Sequence, residues 1–140
     1  METNNGKIKP IVYLGVVRDG KILLVQYTTP PNPSRSGWWI PAPELVWGED
    51  PTEKARQIQR ELGLEQGKPV LSRVESFVTP GGWHLVFHHL LTSGSEVRKS
   101  KNIKDFLWVS ETELLHMDDL AHGSWEKEVA QAFLLEAGQS

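Results

Sequence analysis

The chain has no cysteine, which excludes disulfide bonds and thiolate metal sites. It also lacks a long apolar run. The run near the start, Ile11 to Val17, covers seven residues, whereas a helix that crosses a bilayer needs about 20. The region before it shows no cleavage pattern of a signal peptide, and Pro10 interrupts it. We therefore expect a cytoplasmic protein without a membrane partner.

A strong excess of one charge is absent as well. The net charge is −3, whereas proteins that bind polyanions usually display a basic face. We therefore expect no stable nucleic-acid binding. Hydrophobic residues make up 39% of the 140 residues, which is enough to bury one core. The length predicts a single domain over residues 10–138, behind a flexible N-terminus of residues 1–9.

Turn and capping residues divide the rest of the chain into the predicted order β-β-β-α-β-β-β-α-α. Asp19-Gly20 separates two β-rich runs and is a strong hairpin signal, because glycine supplies a positive φ. Residues 38–40 are predicted as a short third strand. Strands joined by hairpins, with helices inserted between them, predict a mixed sheet covered on both faces.

The central helix is predicted from residue 51 to about residue 62. Asp50 is placed to cap it, Pro51 suits its first position, and Glu53 completes a capping box. Gly63 is the natural stop. The residues that form its predicted apolar face are Ala55, Ile58 and Leu62. Their spacing of three and four turns this face toward the core.

Two further helices are predicted near the C-terminus. The segment Ser110 to Glu113 is a second capping box and starts a short helix. Ser124 starts a final helix that reaches about Glu136. The residues predicted on its core side are Trp125, Val129, Ala132, Phe133 and Leu135.

The segment from Trp39 to Leu64, WIPAPELVWGEDPTEKARQIQRELGL, resembles the Nudix box. That box is the metal-binding motif of hydrolases that cut nucleoside diphosphates linked to another group. Its pattern is Gly, five residues, Glu, seven residues, Arg-Glu-U-x-Glu-Glu-x-Gly-U, where U is bulky and aliphatic. With one residue deleted after Glu49, the positions that match are Arg56, Ile58, Glu61, Gly63 and Leu64. The hairpin at residues 19–20 and the Trp108-Val109 strand extend the resemblance over residues 10–135.

Three positions depart from the pattern. Gln57 stands where the first helix glutamate belongs, Arg60 replaces the first glutamate of the pair, and Pro43 replaces the opening glycine. A second alignment keeps the seven-residue spacing and places the deletion near Leu62, which puts Ile58 on a metal position and Gln59 in the core. We prefer the first alignment, because both placements conflict with the apolar face of the helix.

The resemblance implies an α/β (α+β) fold, a Nudix-type α/β/α sandwich with a mixed β-sheet. It implies a pyrophosphohydrolase, acting on acid anhydrides, that uses Mg²⁺ or Mn²⁺. The implied metal ligands are Glu49, Gln57 and Glu61. The implied catalytic residues are Glu49, Glu61 and Arg56, of which Arg56 orients one of the glutamates through an ion pair. The implied partner is a small nucleotide or nucleotide-sugar type ligand, and a homodimer is left open.

The departures weaken this site, because magnesium prefers carboxylate oxygens. Gln57 brings no charge, and Arg60 adds a positive charge that repels a cation. A guanidinium is also a good bidentate ligand for phosphate, so Arg60 is a candidate to hold substrate phosphate directly. Two functions stay open: a hydrolase of nucleoside diphosphate-linked compounds with an altered metal site, and a catalytically inactive nucleotide- or phosphate-binding module.

Aromatic residues supply the remaining candidates. Trp38 and Trp39 follow a proline-rich loop, residues 29–37, and are candidates for a wall that stacks on a nucleobase. Filling the core is the alternative role for both. The five histidines contain no pair with convincing ligand spacing, so we interpret them as structural or surface residues.

Overall fold

Five strands and three helices make up the described part of the chain, residues 7–31, 36–92 and 96–138 of a computed structural model. In order they are β1 (Ile8–Arg18), β2 (Lys21–Tyr27), α1 (Pro51–Glu61), β3 (Val70–Thr79), β4 (Gly82–Thr92), β5 (Ile103–Ser110), α2 (Glu111–Leu115) and α3 (Ser124–Gly138). The first strand begins two residues before the expected domain boundary at residue 10, and residues 1–6 of the expected flexible terminus lie outside the described residues. Within the described ranges, no helix has the length and apolar character that a bilayer crossing requires.

The strands form one mixed sheet in the order β3-β4-β1-β2-β5. β1 runs parallel to β4, and the other neighbouring pairs are antiparallel. The β1–β2 turn has Asp19 at φ 51° and Gly20 at φ 75°, the two positive values that a two-residue hairpin needs. The predicted hairpin is confirmed.

The β1–β2 hairpin has only two residue pairs next to its turn. Farther from the turn, residues 38–43 lie between the two strands. We call residues 38–43 the approach segment, because they lead to α1. Trp39 exchanges two backbone hydrogen bonds of 2.8 Å with Val25 of β2, and Leu14 of β1 donates to the carbonyl of Pro41 at 2.9 Å. Proline has no N–H to donate, so Pro41 and Pro43 prevent a continuous ladder. The predicted third strand therefore exists only as isolated bridges.

The long helices cover opposite faces of the sheet. His89 of β4 contacts the Thr52 hydroxyl of α1, whereas His88, one residue earlier, lies 5.8 Å from the ring of Phe133 on α3. Successive residues of a strand point to opposite faces. The expected α/β/α arrangement, with a mixed sheet between helices, is confirmed.

The helix α1 follows its predicted bounds, but its buried face differs from the prediction. Ala55 and Leu62 are fully buried, Ile58 is half-buried, and Gln59 is 7% exposed. The Gln59 amide donates to the backbone carbonyls of Gln66 and Gly67, so its burial leaves the amide satisfied. One of the two reasons for rejecting the second box alignment, that glutamine would not enter the core, is therefore wrong. The other stands, because Ile58, which that alignment places at a metal position, packs against the core.

The helix α3 buries most of its predicted core side. Val129 and Phe133 are buried, but Leu135 is 66% exposed. Residues two positions apart on an α-helix point about 200° apart around its axis. Leu135 therefore cannot share a face with Phe133. The prediction for Leu135 is wrong for this reason.

Candidate functional site

The outward face of α1 carries three of the candidate residues. Gln57, Arg60 and Glu61 are all exposed. In the part of the chain that the structure describes, their side chains make no hydrogen bond or ion pair. Gln57 and Glu61 are four residues apart and therefore lie together on one face. This face is free to meet a ligand.

Glu49 lies in the turn before α1, and its carboxylate already has two partners within the chain. Its carboxylate accepts from the Val46 N–H at 2.6 Å and lies 2.9 Å from Lys54 Nζ. These contacts, the backbone N–H first, lower the pKa of Glu49. The Lys54 side chain is 14% exposed, and its ammonium group already supplies the Glu49 carboxylate with a positive partner.

The expected role of Arg56 is not what the structure shows. Its guanidinium donates to Glu53 at 3.1 Å, one turn earlier on the helix, and not to Glu49 or Glu61. Glu53 is the nearer partner by helix spacing, and Glu49 is held by Lys54. Arg56 therefore orients neither of the two candidate catalytic glutamates, which corrects the prediction.

These residues do not fit a resident Mg²⁺ or Mn²⁺ ion. Across residues 7–31, 36–92 and 96–138, no group of three or more His, Cys, Asp or Glu side chains is placed to hold a metal. The α1 face offers one uncommitted carboxylate, Glu61, and the neutral amide of Gln57. Arg60 adds a positive charge beside them, and magnesium prefers a larger set of oxygen ligands.

The tryptophan that is exposed beside α1 is not one of the two that were predicted. Trp39 is 2% exposed, and its ring meets those of Tyr27 and His122 edge-on. It is a core residue and cannot act as an open stacking wall, which corrects the prediction. Trp38 is half-buried. The sequence reasoning missed Trp47, which is 99% exposed in the turn that Glu49 closes. Its position before Gly48-Glu49-Asp50, a run of turn residues, was the available signal.

A buried carboxylate was missed as well. Glu126 of α3 is 0% exposed and accepts from the Ile40 N–H at 2.8 Å. Its other oxygen accepts from the His122 N–H at 3.1 Å and lies 2.7 Å from His122 Nδ1. Glu126 therefore fixes the approach segment to α3. A glutamate in the first turn of a helix usually serves the helix dipole, so the sequence gave no signal for this role.

Tyr27 is a further contact of the approach segment. The Ala42 N–H donates to its phenol oxygen at 3.0 Å. Burial, followed by the charges of Glu126 and Glu61, raises the pKa of Tyr27 well above its ordinary value.

Open depressions elsewhere on the surface do not coincide with this face. Two of them, of about 420 and 740 Å³, lie between the β1–β2 turn and the end of α3. Gly20, Leu134 and Gly138 line both. Neither contains a residue of α1.

The histidines are structural in the strands, as predicted. His84 stacks on Phe77 and contacts the Thr79 hydroxyl. His88 Nε2 lies 3.1 Å from Glu75, while its buried Nδ1 has no hydrogen-bond partner among the described residues. A neutral ring with its proton on Nε2 suits this surrounding, because an unpaired acceptor costs less than a buried charge.

We expect the fold to lose stability as the pH falls below about 6.5. Burial lowers the pKa of His84, His88 and His89 in the folded chain. The unfolded chain therefore binds more protons in this range, and each extra proton reduces the free energy of unfolding by up to about 1.4 kcal/mol per pH unit. Urea unfolding from pH 7.5 to 5.5 measures this slope. His88→Met should make it shallower, and His116→Gln, at an exposed position, should not. Equal slopes for both would contradict the assignment.

Comparisons with known proteins agree on the fold. No protein-family model matches the sequence, and no curated protein matches it either. Among solved structures, the ORF135 protein of E. coli is 21% identical with a TM-score of 0.66, covering 99% of this chain and 97% of that one. The MutT Nudix hydrolase from Burkholderia pseudomallei is 22% identical with a TM-score of 0.66, covering 89% and 97%.

A longer protein is similar in structure over part of its length. The bifunctional NMN adenylyltransferase/ADP ribose pyrophosphatase from Francisella tularensis, solved with AMP and a manganese ion, is 18% identical with a TM-score of 0.71. The match covers 94% of this chain and 42% of that one. Identities this low report the fold and not the chemistry of the site. The chain has the fold of the Nudix hydrolases.

Proposed function

We propose that this chain is a binding module for nucleotide-type small molecules, in which metal-assisted hydrolysis has been lost. The observation that carries the proposal is the Lys54–Glu49 contact of 2.9 Å. It gives the loop glutamate a protein cation as its partner. With Gln57 and Arg60 at two further box positions, the positive charge near this helix comes from side chains and needs no metal.

The α1 face supplies the contacts that such a ligand needs. Arg60 is exposed and has no protein partner among the described residues, so its guanidinium is available for bidentate contact with a phosphate. Trp47 presents its ring to solvent before the same helix, and every nucleobase has a face that stacks on an aromatic ring. Trp38, half-buried in the approach segment, is the second candidate for that contact.

The alternative is a hydrolase, which the structural neighbours favour. The Burkholderia protein is named a Nudix hydrolase, and the Francisella enzyme is named an ADP ribose pyrophosphatase. In this chain a hydrolase would depend on Glu61, the uncommitted carboxylate on the α1 face. The two functions differ in turnover and in their need for a metal.

Arg60→Glu is the variant that tests the binding module. We expect it to weaken the binding of ADP, measured calorimetrically in EDTA, by about tenfold or more, because a charge-assisted contact contributes about 1.5–3 kcal/mol. Lys21→Glu makes the same charge change at an exposed position on the β1–β2 hairpin and should have little effect. Unchanged affinity in the Arg60 variant, or a wild type that binds ADP only when Mg²⁺ is added, would contradict the proposal.

Phosphate release from a nucleotide panel with Mn²⁺ separates the two functions. We expect binding without turnover in the wild-type chain. Turnover that disappears in Glu61→Gln would instead support the hydrolase and assign Glu61 a role in it.

A further inference from the structure

The strand β3 forms one edge of the sheet and has no strand beyond it in the described part of the chain. An edge strand presents unpaired N–H and C=O groups to solvent. Its side chains are unusually apolar for this position. On the side of the sheet where α1 lies, Val74 is 51% exposed and Val78 is 76% exposed. The neighbouring Trp83 of β4 is 40% exposed.

The edge lacks two of the devices that usually prevent pairing with another chain. Proteins commonly place lysines or prolines on such strands, but β3 contains neither. It has one irregularity, between Leu71 and Arg73, which leaves the strand regular from Arg73 onward.

Opposite charges lie on the two sides of Val74 in this edge strand, so two copies of the strand can match each other. Arg73 and Glu75 flank Val74 and lie on the same face, with 3.8 Å between the guanidinium and the carboxylate. In an antiparallel pair of identical strands, residues at equal distances from the two-fold axis lie opposite each other. An axis at Val74 therefore places Arg73 opposite the partner's Glu75, and Glu75 opposite the partner's Arg73.

We propose that β3 is the interface for a second copy of this chain, which pairs antiparallel through a two-fold axis at Val74. The sheet then continues across the dimer. Two opposite-charge pairs form on the α3 side, and Val74 meets its own copy on the α1 side. Cross-strand pairs of both kinds stabilise antiparallel sheets. The ligand face of α1 takes no part, so this inference does not depend on the proposed function.

The absence of cysteine makes a direct test available, because Val74→Cys introduces a single thiol. Residues directly opposite each other in an antiparallel pair have Cβ atoms about 4.5–5.5 Å apart, close to the separation that a disulfide spans. Under a mild oxidant, we expect Val74→Cys to form covalent dimer about tenfold faster or more than Leu135→Cys, since pairing raises the effective concentration of the thiols. Leu135, on α3, is 66% exposed and is the matched control.

Added substitutions test the charge pairing and the register. Arg73→Glu in the Val74→Cys chain puts like charges opposite each other and should slow the cross-link about fivefold or more. Ser76→Cys moves the thiol off the axis and should cross-link slowly. Equal rates at positions 74 and 135, or a faster rate at position 76, would overturn the proposed interface. Sedimentation of the wild-type chain should show a concentration-dependent dimer, and a monomer throughout would also overturn it.

Discussion

Glu126→Ala should destabilise the folded chain by about 3–5 kcal/mol, because it leaves buried donors without an acceptor. The Glu126 carboxylate accepts from the backbone N–H groups of Ile40 and His122 and contacts the His122 ring. Alanine removes the acceptor, and water cannot replace it at a position that is 0% exposed. A loss of this size is a large fraction of the total stability of a small domain.

Urea unfolding followed by tryptophan fluorescence measures this effect. Glu128→Ala is the matched control, since Glu128 lies two residues later on the same helix and is exposed. Its change should stay within about 0.5 kcal/mol. Glu126→Gln keeps one acceptor oxygen and should lie between the two. A Glu126→Ala variant as stable as the Glu128→Ala control would show that the Ile40 contact does not hold the approach segment.

Gly15→Val should cost about 3 kcal/mol or more, the upper range for overpacking a core. A Cβ atom built at Gly15 would lie 2.4 Å from two ring atoms of Phe133, well inside van der Waals contact. Gly15 is in the middle of β1, and Phe133 is 2% exposed on α3. Neither the strand nor the ring has room to move away, because other core residues surround both.

A double-mutant cycle identifies the cause of that loss. Phe133→Ala alone should cost about 3–5 kcal/mol through the cavity it creates. In the double variant the valine fills part of that cavity, so the total cost should be smaller than the sum by about 1 kcal/mol or more. Additive costs would mean that Gly15 is required for a reason other than the approach of the Phe133 ring.

The local structure of this chain could be predicted because its signals are local. Asp19-Gly20 adopts the positive φ values of a hairpin turn. The Ser110 side chain accepts from the Glu113 N–H, and Glu113 accepts from the Ser110 N–H, as the capping-box pattern predicts. Such contacts involve residues a few positions apart, so a short window of sequence contains all of the information.

The site could not be predicted to the same extent, because its contacts join distant residues. A glutamine in a helix looks polar and exposed, yet Gln59 finds two backbone acceptors in the loop after α1. The sequence gives no means of distinguishing buried Trp39 from exposed Trp47. The predicted partner of Arg56 was wrong, because several glutamates lie within reach of this residue on the helix. Only the structure shows that Glu49 already pairs with Lys54.

The approach segment has a consequence for the order in which this chain folds. Its anchors are Leu14 and Val25 on one side and Glu126 on the other. Ile40 and Glu126 are 86 positions apart, and contacts between such distant residues form late, since they close a large loop. The approach segment therefore gains its last anchor when the C-terminal helix docks, so a chain emerging from the ribosome completes the entrance to α1 late.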